Sequence, residues 1–244
     1  ITDSLALDSL VPYSQLLIPF FNRLKNAVLE LKTKSDRIEN LLNLPDPTNV
    51  IVSWSINPEK MVDLEEKGTP SLKKRLHAAS QCVEKGYRVG FHFDPIILIP
   101  GWEQAYQELV DTLFDYIPAS QIEWISLGSF RYRSSLKPII KSRHPKTMLF
   151  TGEHLPGKDG KFRYLRPLRN QAYETIRGFL KEGYFADVVI FDPNTISDHA
   201  TFENPHQLAT GMEHVIVNGV QVLKSGEHTG MTPGRFVHGP GYKK

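Results

Sequence analysis

"GTPSLKKRLHAASQCVEKGYRVGFHFDPI", residues 68–96, reads as a helix, a stop and a strand in succession, and that reading decides the fold. Thr69 can cap, Pro70 suits the first helical position and Gly86 suits the stop. Between them Leu72, Leu76, Ala79 and Val83 recur on one helical face. The run after Gly86 has strand length and apolar content. The same alternation extends in both directions. Upstream, "AVLELKTKS" precedes "RIENLLNL", and "NVIVSWSI" precedes the quoted helix; downstream, "WEQAYQELVDTLFDYI" follows the strand and "QIEWISLGSF" is followed by "LKPIIKSR". From Ala27 to about Phe130 this predicts an α/β fold of four successive β/α units around a parallel sheet.

Between Thr147 and Arg169 the rhythm breaks. "TGEHLPGKDGK" has the glycine, proline and Asp-Gly content of a hairpin, and a short helix is expected from about Asn170 to Lys181. Beyond Gly183, "FADVVIFD", "EHVIVNG" and "VQVLKSG" read as strands, with Asn218 and Gly219 as a hairpin turn. No helical period follows, so the class changes to an all-β tail, with a boundary near Glu182.

At 40% hydrophobic and 23% charged residues the chain belongs with ordinary globular proteins, which excludes a disordered segment of this length. A formal charge of +2 gives no whole-chain argument for an anionic partner. Cys82 is the single cysteine, which excludes an internal disulfide framework and a multi-cysteine metal site. No apolar run is long enough to cross a bilayer, and the cytoplasm is the expected compartment. Ile1 as first residue suggests a piece of a longer chain.

The even balance hides a local asymmetry. From Gly128 to Arg169 there are eleven basic residues against two acidic ones, Glu153 and Asp159. Phe130, Tyr132, Phe162 and Tyr164 are interleaved with the basic residues. Guanidinium and ammonium clusters attract phosphate backbones and aromatic faces can stack on bases, while the plainer reading is a solvated basic face with core aromatics. Arg131, Arg133, Lys161 and Arg163 are the candidate DNA-binding residues. "FHFDP" places His92 and Asp94 on one side of a strand, where they could be an acid/base couple, two metal ligands or structural polar groups. His199, His206, His214, His228 and His238 lack metal-ligand spacing and are expected to be ordinary loop and strand residues. No catalytic or metal-ligating residue is assigned.

Two resemblances complete the reading. "TDSLALD", "LELKTKSD", "SWSINP", "GTPSLKKRLHAA", "GYRVGFHFDPI", "GWEQAYQELVDTLF", "WISLGSFRY" and "DGKFRYLRPLR" run in order from residue 2 to about 181 and resemble the later part of a spore photoproduct lyase of the radical SAM superfamily. Residues 183 to about 241, from "GYFADVVIFDPNTISDHATFENPHQLATG" through "RFVHGPG", resemble the C-terminal end of an N-acyl-D-amino-acid deacylase of the amidohydrolase superfamily. Gly183 is therefore read as a join, whether natural, engineered or an assembly error.

The first resemblance implies a partial radical-SAM-type barrel, a DNA-repair lyase reaction on UV-induced thymine dimers, and the use of S-adenosylmethionine with a [4Fe-4S] cluster. It implies that Lys34 and Ser55 contact S-adenosylmethionine and that Lys161 belongs to the lesion-engaging hairpin. The Arg-Tyr pair of that hairpin is not matched, since Pro156 and Gly157 occupy the region. The cluster cysteines and the hydrogen-donating cysteine have no counterparts here, so the chain alone is expected to be inactive, with a non-catalytic DNA-binding module as the alternative. The second resemblance implies zinc and hydrolysis of N-acyl-D-amino acids, but the ligands belong to a part of that family not matched here. Two ancestries imply few contacts across Gly183. An incomplete barrel implies open edges on its first and last strands that favour oligomerisation.

Overall fold

The computed structural model describes residues 3–45, 48–183, 188–191, 195–197, 199, 209–217 and 220–233. In chain order the elements are α1 (Tyr13–Phe21), β1 (Leu29–Thr33), α2 (Glu39–Leu42), β2 (Val50–Ser55), α3 (Glu59–Glu65), α4 (Leu72–Glu84), β3 (Arg88–Ile96), α5 (Trp102–Tyr116) and β4 (Ile122–Ser129). Then come β5 (Arg131–Arg133), α6 (Leu136–Arg143), β6 (His154–Pro156), β7 (Lys161–Tyr164), α7 (Arg166–Gly183), β8 (Val188–Phe191), β9 (Met212–Val217), β10 (Val220–Lys224) and β11 (Glu227–His228).

Strands β1 to β4 pair in parallel and in chain order, as the alternating pattern predicts. One face of this sheet is apolar. Val52, Trp54, Val89, Phe91, Phe93, Ile125 and Leu127 point into a core shared with Leu72, Leu76, Ala79 and Cys82 of α4 and with Tyr106, Leu109 and Leu113 of α5. Helix α4 starts at Leu72, two residues later than expected. Ser71 is the cap, its hydroxyl accepting the Lys74 N–H. Thr69 is engaged elsewhere, donating to the Glu66 carbonyl at 2.6 Å and accepting from Arg75 at 2.6 Å. The stop is where the sequence puts it. Gly86 has φ +97°, its N–H reaches the Val83 carbonyl, and the Tyr87 N–H reaches Cys82, the paired bonds of a Schellman ending.

The predicted hairpin is present as β6 and β7, and β5 adds a third antiparallel strand in the order β5-β7-β6. Helix α7 is longer than expected, beginning at Arg166 with Pro167 in its first turn. The tail strands form an antiparallel meander β8-β9-β10-β11. The Asn218–Gly219 turn lies outside the described residues, but Val217 pairs with Val220 across it.

The tail is not detached. Strand β8 joins the edge of β4 in parallel, matching Ile125 with Val188 and Ser126 with Val189. Ile190 and Ile216 are buried in the same core as Ile125 and Leu127. Arg177 bonds Gln221 at 3.0 Å, and Arg166 pairs with Glu213 at 3.4 Å. The expectation of few contacts across Gly183 is therefore overturned, as is the open edge on the last parallel strand. An apolar β-strand with alternating inward residues meets the general requirement of an exposed sheet edge, whatever its ancestry. Among the described residues no helix is long and apolar enough to cross a membrane.

Candidate nucleic-acid interface

Strand β4 ends at Ser129 and β5 begins two residues later, so the three-stranded sheet stands at the C-terminal end of the parallel strands. That is the end where α/β sheets place their sites. Pleating sends alternate residues of each strand to opposite faces. Tyr132 pairs with Phe162 on one face, stacked at 5.7 Å, and His154 lies against Tyr164 at 4.5 Å on the same side. This face packs on Met61, Ile97 and Ile99. The Tyr164 hydroxyl accepts the Leu98 N–H at 3.1 Å, and burial pushes its ionisation upward. Burial likewise pushes His154 down, so it is neutral at pH 7. The four interleaved aromatics thus form a second small core, the plainer of the two sequence readings.

The other face is basic. Arg131 stands directly opposite Arg163, and Arg133 directly opposite Lys161. Like charges facing each other across an antiparallel pair repel, so two successive pairs of this kind are an unusual arrangement. All four residues singled out in the sequence meet on this face. Asp159, in the β6–β7 turn, offsets part of the charge by bonding Arg163 and lying 3.8 Å from Lys161. Gly157 of the same turn lies under the Arg163 guanidinium, where a Cβ would approach Nη2 to 2.8 Å.

Lys34 and Ser55 also lie at this end, one just past β1 and the other closing β2. They are bridged by buried charges that the sequence did not reveal. Lys34 Nζ meets Glu66 at 2.7 Å, Arg75 meets the other Glu66 oxygen at 2.6 Å, and Arg75 donates to the Ser55 carbonyl at 2.9 Å. Asn57 donates to Glu66 as well, at 2.8 Å. Burial would raise the Glu66 carboxyl, but Lys34 and Arg75 together outweigh it and hold the group below the usual carboxylate range.

The polar face of the parallel sheet carries a chain of hydrogen bonds across its strands. His92 Nδ1 meets Ser126 Oγ at 2.6 Å and Nε2 meets Glu30 at 2.8 Å, while Ser53 donates to Glu30 at 2.6 Å. The hydrogen bond from His92, working against partial burial, holds the Glu30 carboxyl below its usual range. Asp94 shares this face, as the alternation predicts, but lies over Gly128. His92 is thus partnered by Ser126 of the adjacent strand β4 and, across β2, by Glu30 of β1. In the tail, His214 bonds Gln221 at 2.9 Å and His199 bonds Thr210 at 2.8 Å, while His206 and His238 lie outside the described residues.

A model of the spore photoproduct lyase family matches residues 1–188. This chain belongs to that family. A spore photoproduct lyase of a Geobacillus species is 30% identical over 155 residues, 61% of this chain and 44% of the relative. The structure of a spore photoproduct lyase mutant with bound AdoMet and dinucleoside spore photoproduct is similar at a TM-score of 0.70 and 25% identity, over 77% of this chain and 57% of that one. The lyase-like chain therefore spans less than half the length of the curated relative. The tail has a separate likeness. A D-aminoacylase of Alcaligenes xylosoxydans xylosoxydans is 51% identical over 61 residues, 25% of this chain and 13% of the relative.

Proposed function

We propose that this chain acts as the DNA-contacting portion of a spore photoproduct lyase-type repair protein, laying the basic face of the β5-β7-β6 sheet on the phosphate backbone. The observation that carries this is the double like-charge register, Arg131 against Arg163 and Arg133 against Lys161. Such a face is relieved by anions bound along it. Strands β1 to β4 and their helices would be part of a radical-SAM-type barrel, with residues 1–182 and 183–244 as units of different ancestry. The related lyase structure holds a dinucleoside spore photoproduct, which makes damaged DNA the ligand class to test.

For S-adenosylmethionine, Lys34 and Ser55 sit together at the proper end of adjacent parallel strands and would hold its carboxylate and ribose. The Glu66 carboxylate already occupies the Lys34 ammonium, so a ligand carboxylate would compete with it. When bound beside a cluster, the group supplies radical chemistry. The cluster does not fit this chain. Cys82 is buried between α4 and the sheet, and burial pushes its thiol up to about 12, so it offers no thiolate. No reaction step is therefore derived, and the proposed role is contact with DNA.

The test is the salt dependence of binding to a labelled duplex carrying the lesion. Each phosphate neutralised adds about 0.9 to the slope of log affinity against log salt. Converting Arg131, Arg133, Lys161 and Arg163 to glutamine should lower that slope by roughly 3. An unchanged slope would remove the proposal.

A further inference from the structure

Helix α1 turns its most apolar side outward. Its inward side buries Ser14 and Ile18, and Ser14 is held there by Asp8, itself buried, which accepts the Ser14 N–H at 2.9 Å and its hydroxyl at 2.6 Å. On the outward side Tyr13, Leu16, Leu17 and Phe20 recur at the spacing of one helical stripe, and all four are open to solvent, Leu16 to 71%. Leu7, Leu10 and Val11 of the turn before the helix are open as well, Leu10 to 74%. These seven residues leave roughly 750 Å² of surface exposed, more than the largest apolar patch of about 300–600 Å² on an ordinary monomer. Leu7, Val11, Tyr13 and Leu17 also meet along one groove of about 440 Å³, closed on its far side by Leu29 and Leu31 of β1.

We infer that this face is the contact between two copies of the chain, with α1 lying against α1 about a twofold axis. The open area is close to the ~800 Å² that each partner gives to a stable interface. A twofold contact is self-complementary, so one patch has to carry both a projection and a recess. Here Leu16 and Phe20 project and the groove receives. Groups near the axis also face their own kind, and from Ser9 to Asn22 the sequence has no charged residue, so nothing in the stripe repels its copy. An anionic lipid surface fits less well. The stripe offers it no lysine or arginine, and Asp3, Asp8 and Glu30 line the groove. Those carboxylates are engaged within the chain, by the Ala6 N–H, Ser14 and His92 respectively, so an apolar side chain entering the groove strands none of them. The contact uses no residue of the hairpin sheet and stands whether or not that sheet lies on DNA.

Sedimentation equilibrium of the full chain between about 1 and about 100 µM tests this, and a monomer–dimer equilibrium is expected. Leu16→Glu with Phe20→Glu should weaken the association by about a hundredfold or more. Leu136→Glu with Ile139→Glu, at two other exposed apolar residues on α6, should leave it within about twofold. Because Leu16 and Phe20 are open to solvent in the single chain, their double variant should melt with the dilute parent. Cross-linking reads the geometry separately. The native Cys82 is buried, so a short bismaleimide should join Leu16→Cys copies into covalent pairs and leave Leu136→Cys copies single. Should the glutamate variant melt early, this comparison decides. A chain still monomeric at about 100 µM, an α1 double variant that still pairs, loss of pairing in the α6 variant, or equal cross-linking at positions 16 and 136 would each overturn the inference. So would binding of a monomeric chain to vesicles of phosphatidylcholine and phosphatidylglycerol that the α1 substitutions abolish, which would give the face to a lipid surface.

Discussion

Replacing Arg75 with methionine should be among the most damaging single changes in this protein that leave its apolar core intact. The side chain is fully buried and keeps its stem packed under α4, and methionine reproduces most of that stem. What is lost is the guanidinium. It donates to the Pro70 carbonyl at 3.0 Å, to the Ser55 carbonyl at 2.9 Å and to Thr69 Oγ1 at 2.6 Å, and it pairs with Glu66 at 2.6 Å. Breaking a buried ion pair by removing one partner costs about 3–5 kcal/mol. Two orphaned carbonyls would add to this, but Lys34 and Asn57 stay on Glu66, and the partly exposed Lys34 side admits water. A net loss of about 4 kcal/mol is expected. With a urea slope of roughly 2 kcal/mol per molar, the unfolding midpoint should fall by about 2 M without a change of slope. Glu66→Gln supplies the companion measurement. If the two residues act as a pair, the double variant should cost clearly less than the two single changes added together, because neither partner is left as an uncompensated charge. A midpoint shift worth less than about 1 kcal/mol, or strict additivity in the cycle, would refute the reasoning.

Acid should weaken the fold through the same group. Glu66 and Glu30 are both held below the ordinary carboxyl value of 4.5, so their contribution is complete above that pH and is lost as pH falls through their folded-state values; a pH series of urea midpoints should show the loss, and Glu66→Gln should reduce it. A chain ending at Gly183 should be destabilised rather than indifferent, because β8 and β9 contribute the buried Ile190 and Ile216, worth about 1.5–3 kcal/mol each, and cover the β4 edge. Equal melting temperatures for the full and shortened chains would contradict this. Gly90→Ala should cost about 1–3 kcal/mol, since the new Cβ would stand 2.8 Å from the Trp124 ring. Trp124 fluorescence should report the displaced ring, and an unshifted spectrum with unchanged stability would count against that packing.

Much of the α/β architecture was legible because its signals are local. The apolar face of α4, the glycine stop and the fourfold alternation each lie within one helix or strand, and burial of one face leaves them little choice. The cap at Ser71 was missed because two hydroxyls and a proline lie within three residues, and the choice between them is made by Glu66 and Arg75, which are distant or buried. The basic residues were legible as a cluster, but their shared face depends on pairing β5 with β7 across thirty residues, which charge counting does not reveal. Glu30 and Ser126 gave no signal at all. Their role follows from the register that brings strands β1 to β4 together around His92. The docking of the tail was misread for a related reason. Two ancestries imply few contacts across Gly183, whereas the edge of β4 needs only a strand of suitable pattern.

Because β8 occupies the β4 side, the eight-stranded sheet ends in two unlike margins. One closes in the two-residue strand β11, too short to template much. The other is β1, five residues long, with an outward carbonyl at Lys32 already taken by the Ser4 N–H. Among the described residues, a further strand would therefore meet one margin already engaged by the segment ahead of α1 and another of only two residues, so the sheet itself offers little template for strand addition.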